Sequence, residues 1–103
     1  MKKVLFALAA TVAMTAPAFA DAGMDLAKAK NCLACHAVAT KVVGPAYKDV
    51  AAKYKGDKTA VDKLADKVIK GGSGVWGTMP MPANAQVTPA EAKQLVTWVL
   101  SQK

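Results

Sequence analysis

The sequence predicts an all-α domain, about four helices packed around a centre that the chain's own side chains do not fill. Three observations predict it. No stretch beyond residue 20 alternates apolar and polar residues between turn formers, so no strand is expected. Four segments read as helix, three of them with apolar residues at i, i+3, i+4 and i+7. Residues 21–103 hold only four aromatic side chains and a single Ile. A domain of that size buries only about 60–65% of its unfolded surface and is marginal without a disulfide, a metal or a cofactor.

Residues 1–20 stand apart. Lys2 and Lys3 precede an apolar run over residues 4–14, and Ala18-Phe19-Ala20 supplies a small-x-small ending. That is the layout of a secretory signal peptide cleaved before Asp21. The apolar run is too short for the ~20 residues of a spanning helix, so export to the periplasm is expected, not anchoring. What remains is one domain, residues 21–103. The full chain has 14 Lys, no Arg and 7 acidic residues, for a net charge of +7, and losing Lys2 and Lys3 leaves +5. This size excludes a multidomain protein, a membrane-spanning one and a large enzyme.

The first helix is expected over about residues 23–31, with Asp25 in its first turn and Lys28 and Lys30 in its last, an order that suits the helix dipole. The second, about residues 46–54, aligns Tyr47, Val50, Ala51 and Tyr54 on one face. The third runs to Lys70 with Thr59 as its N-cap, Val61, Leu64, Ala65 and Val68 as its stripe, and Gly71 to end it. The fourth opens on Thr88-Pro89-Ala90-Glu91, a capping box with Pro in the first helical position. Its inner stripe is Ala92, Leu95, Val96 and Val99, with Trp98 flanking. Residues 71–87, with four Gly and two Pro, read as a 17-residue loop. A loop that long in a small domain usually binds something.

Both cysteines lie in Cys32-Leu33-Ala34-Cys35-His36. A disulfide across two residues would stabilise little. A structural zinc needs four ligands, and Cys and His supply three here. A thioredoxin-like site needs a βαβ setting that the pattern lacks. C-x-x-C-H is the signature of covalent haem attachment. Two thiols one turn apart can add across the two vinyl groups of a haem, and the next residue, His36, then aims its imidazole at iron. As His36 is the only histidine, bis-histidine ligation within one chain is excluded. The sixth ligand is sought in the long loop, where Met79-Pro80-Met81-Pro82 carries two thioethers in a proline-stiffened segment. Spacing alone leaves Met79 and Met81 both open. Met24 is expected to pack in the core.

With these residues in view, the chain resembles the small bacterial class I cytochromes c of the c-551/c-552 type. The resemblance rests on the Cys-x-x-Cys-His motif, residues 43–51 (VGPAYKDVA), Gly74-Val75-Trp76-Gly77, Pro80-Met81-Pro82-Ala83-Asn84, and the closing residues 98–103. It implies a small class I cytochrome c fold around one heme c, bound through Cys32 and Cys35. It implies that Met81 is the axial ligand opposite His36, and that the Pro45 carbonyl accepts a hydrogen bond from the distal nitrogen of His36. Trp76 then reaches a haem propionate, and Asn84 neighbours the methionine sulfur. Two departures stand out: Ala83 replaces a second proline, and Met79 replaces an aliphatic residue.

A His/Met-ligated haem has no position free for a substrate, so the expected function is single-electron transfer, not catalysis, in a respiratory chain. The expected partners are redox protein donors and acceptors, with acidic docking faces as complements to the +5 charge, and the protein is expected to be a monomer. Nucleic acid is not expected, for there is no Arg to recognise guanine or phosphate. The competing classes are a haem enzyme or gas sensor with an open sixth position, and a thiol oxidoreductase.

Overall fold

The computed structural model describes residues 18–103. The basic and apolar parts of the leader therefore lie outside the described residues. Four helices follow in order: α1 (Ala18–Ala29), α2 (Tyr47–Lys53), α3 (Ala60–Lys70) and α4 (Pro89–Leu100), with a 3-10 turn at Cys32–Ala34 between the first two. α4 is the hub, packing against α1, α2 and α3.

The capping box of α4 forms as the sequence predicts. Glu91 N–H donates to Thr88 Oγ1 at 3.1 Å and Thr88 N–H to Glu91 Oε1 at 3.0 Å. The Thr88 amide, with Lys30 alongside, holds the Glu91 carboxyl below its usual range. The stripe below the cap is the core: Ala92, Leu95 and Val96 are buried together with Ala27, Tyr47, Ala65 and Val87. Trp98 is not a flanking residue but a buried one, 2% exposed. Gly23 makes its slot, because a Cβ there would overlap the indole. Met24 packs against this cluster.

One boundary and one cap differ from the sequence reading. α1 begins at Ala18 and ends at Ala29, so it runs through the expected cleavage point without a break. Ala18, Ala20 and Ala22 are strong helix formers, and nothing there stops the helix. Thr59 stands at the N-cap position of α3, but its side chain makes no cap bond to the helix. Instead its N–H and hydroxyl both turn to Asp57 Oδ1, at 2.8 and 2.6 Å. These two bonds, joined by Lys63 at 3.1 Å, pull the Asp57 carboxyl down to about 2. α3 then ends at Gly71, whose φ of 75° suits glycine and whose N–H closes on Lys67 O at 2.7 Å.

Residues 71–87 are loop, as their composition predicts, with one β-bridge inside. Gly72 and Met81 form an isolated antiparallel bridge, Gly72 N–H to Met81 O at 3.0 Å and Met81 N–H to Gly72 O at 2.8 Å. Among the described residues there is no β-strand. No helix there is long and apolar enough to cross a membrane.

Candidate haem site

The packing of α4 across the other helices leaves a cleft walled by apolar side chains. Val50 of α2, Leu64 and Val68 of α3, and Leu95 and Val99 of α4 line it. Cys32, Cys35 and His36 line the same cleft, as do Trp76, Met79 and Met81.

The 3-10 turn positions the first group. Asn31, at φ 64°, reverses the chain out of α1, and the N–H groups of Cys35 and His36 both close on Cys32 O. Both thiols are free, half-buried and open to the same cleft. Burial pushes the Cys32 thiol up, partly offset by a hydrogen bond with the Tyr47 hydroxyl.

His36 is held on three sides. Its Nδ1 lies 2.8 Å from Pro45 O. A carbonyl can only accept, so Nδ1 carries the proton and the Nε2 lone pair is left free. The ring stacks on Tyr47, centroids 4.9 Å apart and planes 23° from parallel. Tyr47 in turn meets Trp98 edge to face at 5.4 Å. Gly44 closes the third side: a Cβ there would run into the imidazole ring. The Gly44 N–H and Val43 N–H both bond Cys35 O, at 2.7 and 3.1 Å, which ties the Gly44-Pro45 segment to the motif itself.

The facing wall is held by backbone. The bridge to Gly72 fixes Met81, which is half-buried, whereas Met79 is 66% exposed. Asn84 anchors the segment below: its N–H bonds Val68 O and Ile69 O, and its Nδ2 donates to Val68 O at 2.9 Å and Pro82 O at 3.2 Å. These contacts tie the loop to the end of α3. Trp76 is 42% exposed at the rim, with Lys53 Nζ 5.6 Å from its ring centroid.

The sequence singled out Cys32, Cys35, His36, Pro45, Trp76 and Met81, and all six line this one cleft. Asn84 stands behind it. Tyr47, which touches both His36 and Cys32, was read only as part of a helical stripe. Its place two residues after Pro45 was the available signal.

The donor set fits one prosthetic group: two thiols, an imidazole whose Nδ1 is tied to Pro45 O, and two thioethers, all lining one apolar-walled cleft. Residues 20–103 match the cytochrome c family model. The chain belongs to the cytochrome c family. Within it the likeness is to the class I c-551/c-552 type. The chain is 57% identical to cytochrome c-552 of Hydrogenobacter thermophilus over the whole of both chains. It is 52% identical to cytochrome c-551 of Pseudomonas aeruginosa, covering 96% of this chain and 95% of that one. The crystal structure of wild-type cytochrome c552 from Nitrosomonas europaea superposes with a TM-score of 0.76 at 56% identity, over 78% of this chain and 99% of that one. This cytochrome thus carries one c-type haem, attached through the Cys32–Cys35 motif, and functions as an electron carrier and not an enzyme.

Proposed function

We propose that this cytochrome is exported to the periplasm, cut before Asp21, and there shuttles single electrons between respiratory redox proteins as a monomer. Cys32 and Cys35 would hold the haem as thioethers, and His36 and Met81 would ligate its iron. When bound, the haem supplies a one-electron Fe(III)/Fe(II) couple.

The observation that carries this reading is the bond from His36 Nδ1 to Pro45 O beside two free thiols in the same cleft. It fixes the tautomer, aims Nε2 into the cleft, and raises the basicity of that nitrogen. Tyr47, stacked on the imidazole, and Gly44, packed against it, keep the ring from turning. On the other side the Gly72 bridge and the Asn84 anchor hold Met81 in the cleft, and the bridge's neighbours Pro80 and Pro82 stiffen it. A soft thioether favours the ferrous state, and the apolar walls disfavour the extra ferric charge, so both raise the reduction potential. The Trp76 indole N–H would hold a haem propionate at the exposed side of the cleft. Lys53 and the cleft-lining Lys67 present positive charge there, the complement of an acidic docking face on a partner.

The decisive experiment is the spectrum of the reduced protein, alone and under carbon monoxide. A low-spin c-type spectrum unchanged by carbon monoxide at neutral pH is expected. Rapid binding would mean an open sixth position, and with it a haem enzyme or gas sensor.

A further inference from the structure

Met79 is a second thioether on the same cleft wall, and the axial role of Met81 leaves it without a task. Three features bear on what it can do. In an extended pairing, residues two apart project from the same side, so a shift of two would bring Met79 to the facing that Met81 now has. The bridge partner of Met81 is Gly72, preceded by Gly71, so no side chain pins the register of the pairing. A Cβ on Gly71 would strike Met81 O and the Pro82–Ala83 peptide: bare backbone lies directly on bare backbone there. Register is weakly specified where a glycine-rich segment provides one of the partners.

The arithmetic of a slip then favours one step. Moving by one residue would bring Pro80 opposite Gly72, losing an N–H donor and turning every side chain to the wrong face. Moving by two brings Met79, with its N–H and C=O both available, opposite Gly72, and restores the facing of the side chains. The intervening turn has room to shorten. Gly74 and Gly77 lie at φ 102° and 112°, joined by Gly74 N–H to Gly77 O at 2.8 Å, and nothing lies within 4 Å of a Cβ built on either. The residues displaced below the bridge are taken up before the anchor at Asn84.

We infer that Met79 is a reserve axial ligand, delivered to the Met81 position by a two-residue slip of the segment along Gly72. The inference rests on Met81 being the resident ligand. Besides the iron–sulfur bond and the two bridge hydrogen bonds, the slip exchanges the bond from Asn84 Nδ2 to Pro82 O, and no electron moves in it.

The test uses the haem-loaded protein and three variants: Met79→Leu, Met81→Leu and the double variant, in which leucine keeps the volume and removes the sulfur. The thioether-to-iron absorption band of the ferric state is recorded for each. The expected result is an unchanged band in Met79→Leu, a retained but shifted band in Met81→Leu, and complete loss in the double variant. Loss of the band in Met81→Leu, with Met79→Leu normal, overturns the reserve role and leaves Met81 as the resident ligand. Loss in Met79→Leu overturns both assignments. A second arm needs no change at Met81. With methyl-labelled methionine in the ferrous protein, the upfield-shifted methyl of the axial ligand is followed on warming. Exchange broadening that Met79→Leu abolishes is expected, and a line unaffected by that substitution up to unfolding overturns the inference.

Discussion

The two walls of the haem cleft are built by different means. The His36 wall is made of side chains: an imidazole stacked on Tyr47, Tyr47 braced by a buried Trp98, and Trp98 seated against Gly23 of α1. The Met81 wall is made of backbone: a two-bond bridge to Gly72 and a loop anchored at Asn84 to the last turn of α3. One wall shares the hydrophobic core of the domain. The other leans on it from outside. Disturbing the first therefore costs fold stability, whereas disturbing the second costs ligation while the fold survives.

The largest effect should come from Trp98→Ala, which removes the brace of the His36 wall. Burying a large aromatic side chain and then leaving a cavity predicts a loss of about 3–5 kcal/mol, read from the shift in denaturant midpoint. A loss under about 1 kcal/mol would mean that the stack does not depend on the core.

The same contrast governs how legible the chain was. α4 and its cap could be read because Thr88, Pro89 and Glu91 signal a helix start through their own chemistry. The stripe of α3 and the Cys-His motif were legible for the same reason: each residue type states what it needs. The bridge at Gly72 was not, because backbone pairing at a glycine leaves no side-chain signature. Tyr47 was read as core only, since helical period says which face a residue is on and not which ring it meets. Trp98 fell off the ideal stripe, yet the space freed by Gly23 in another helix drew it inward. Thr59 makes no cap bond because its hydroxyl turns to donate to the Asp57 carboxylate two residues upstream, to which its N–H also donates.

A matched pair of glycine substitutions sharpens the contrast. Gly71→Ala puts a Cβ into Met81 O at φ 75°, a backbone strain of about 1–3 kcal/mol. It should leave haem attachment intact while weakening the ferric thioether band and admitting carbon monoxide. Gly44→Ala pushes on the imidazole instead, an overpacking cost of about 1–3 kcal/mol. Its signature should be a lower thermal midpoint and a changed His36 environment by NMR, with the thioether band kept. Interchanged outcomes would break the division between the walls.

A smaller effect is expected from Asn84→Ala. It removes the side-chain bonds to Val68 O and Pro82 O but not the backbone ones, so the loss is about 1 kcal/mol. Carbon monoxide binding to the ferrous protein should quicken before any change in the denaturant midpoint exceeds that figure.

The smallest effect lies away from both walls and serves as the control. The Asp57 carboxyl is lowered from 3.8 to about 2 by Thr59 and Lys63. Its contribution to stability is therefore present above pH 3.8 and is lost as pH falls through about 2. Asp57→Asn should cost a little stability at neutral pH, and the gap to the unmutated protein should close toward pH 2, as read by denaturant midpoints. Added salt should shrink the Lys63 part. The ferric thioether band should not respond at any pH in that range.

The hydrogen bond from His36 to Pro45 is made to a carbonyl that every amino acid possesses. No single substitution at residue 45 can delete that acceptor; it can only be moved, by redirecting the chain that carries it. The two carbonyl acceptors of the bridge at Gly72 have the same property, whereas its two N–H donors are lost to proline alone. Unlike the bracing side chains of Tyr47, Trp98 and Asn84, the main-chain bonds that help orient His36 and Met81 are thus largely shielded from point mutation. Inherited variation acts on them through chain path, at positions such as Gly44 and Gly71, and not through the bonding groups themselves.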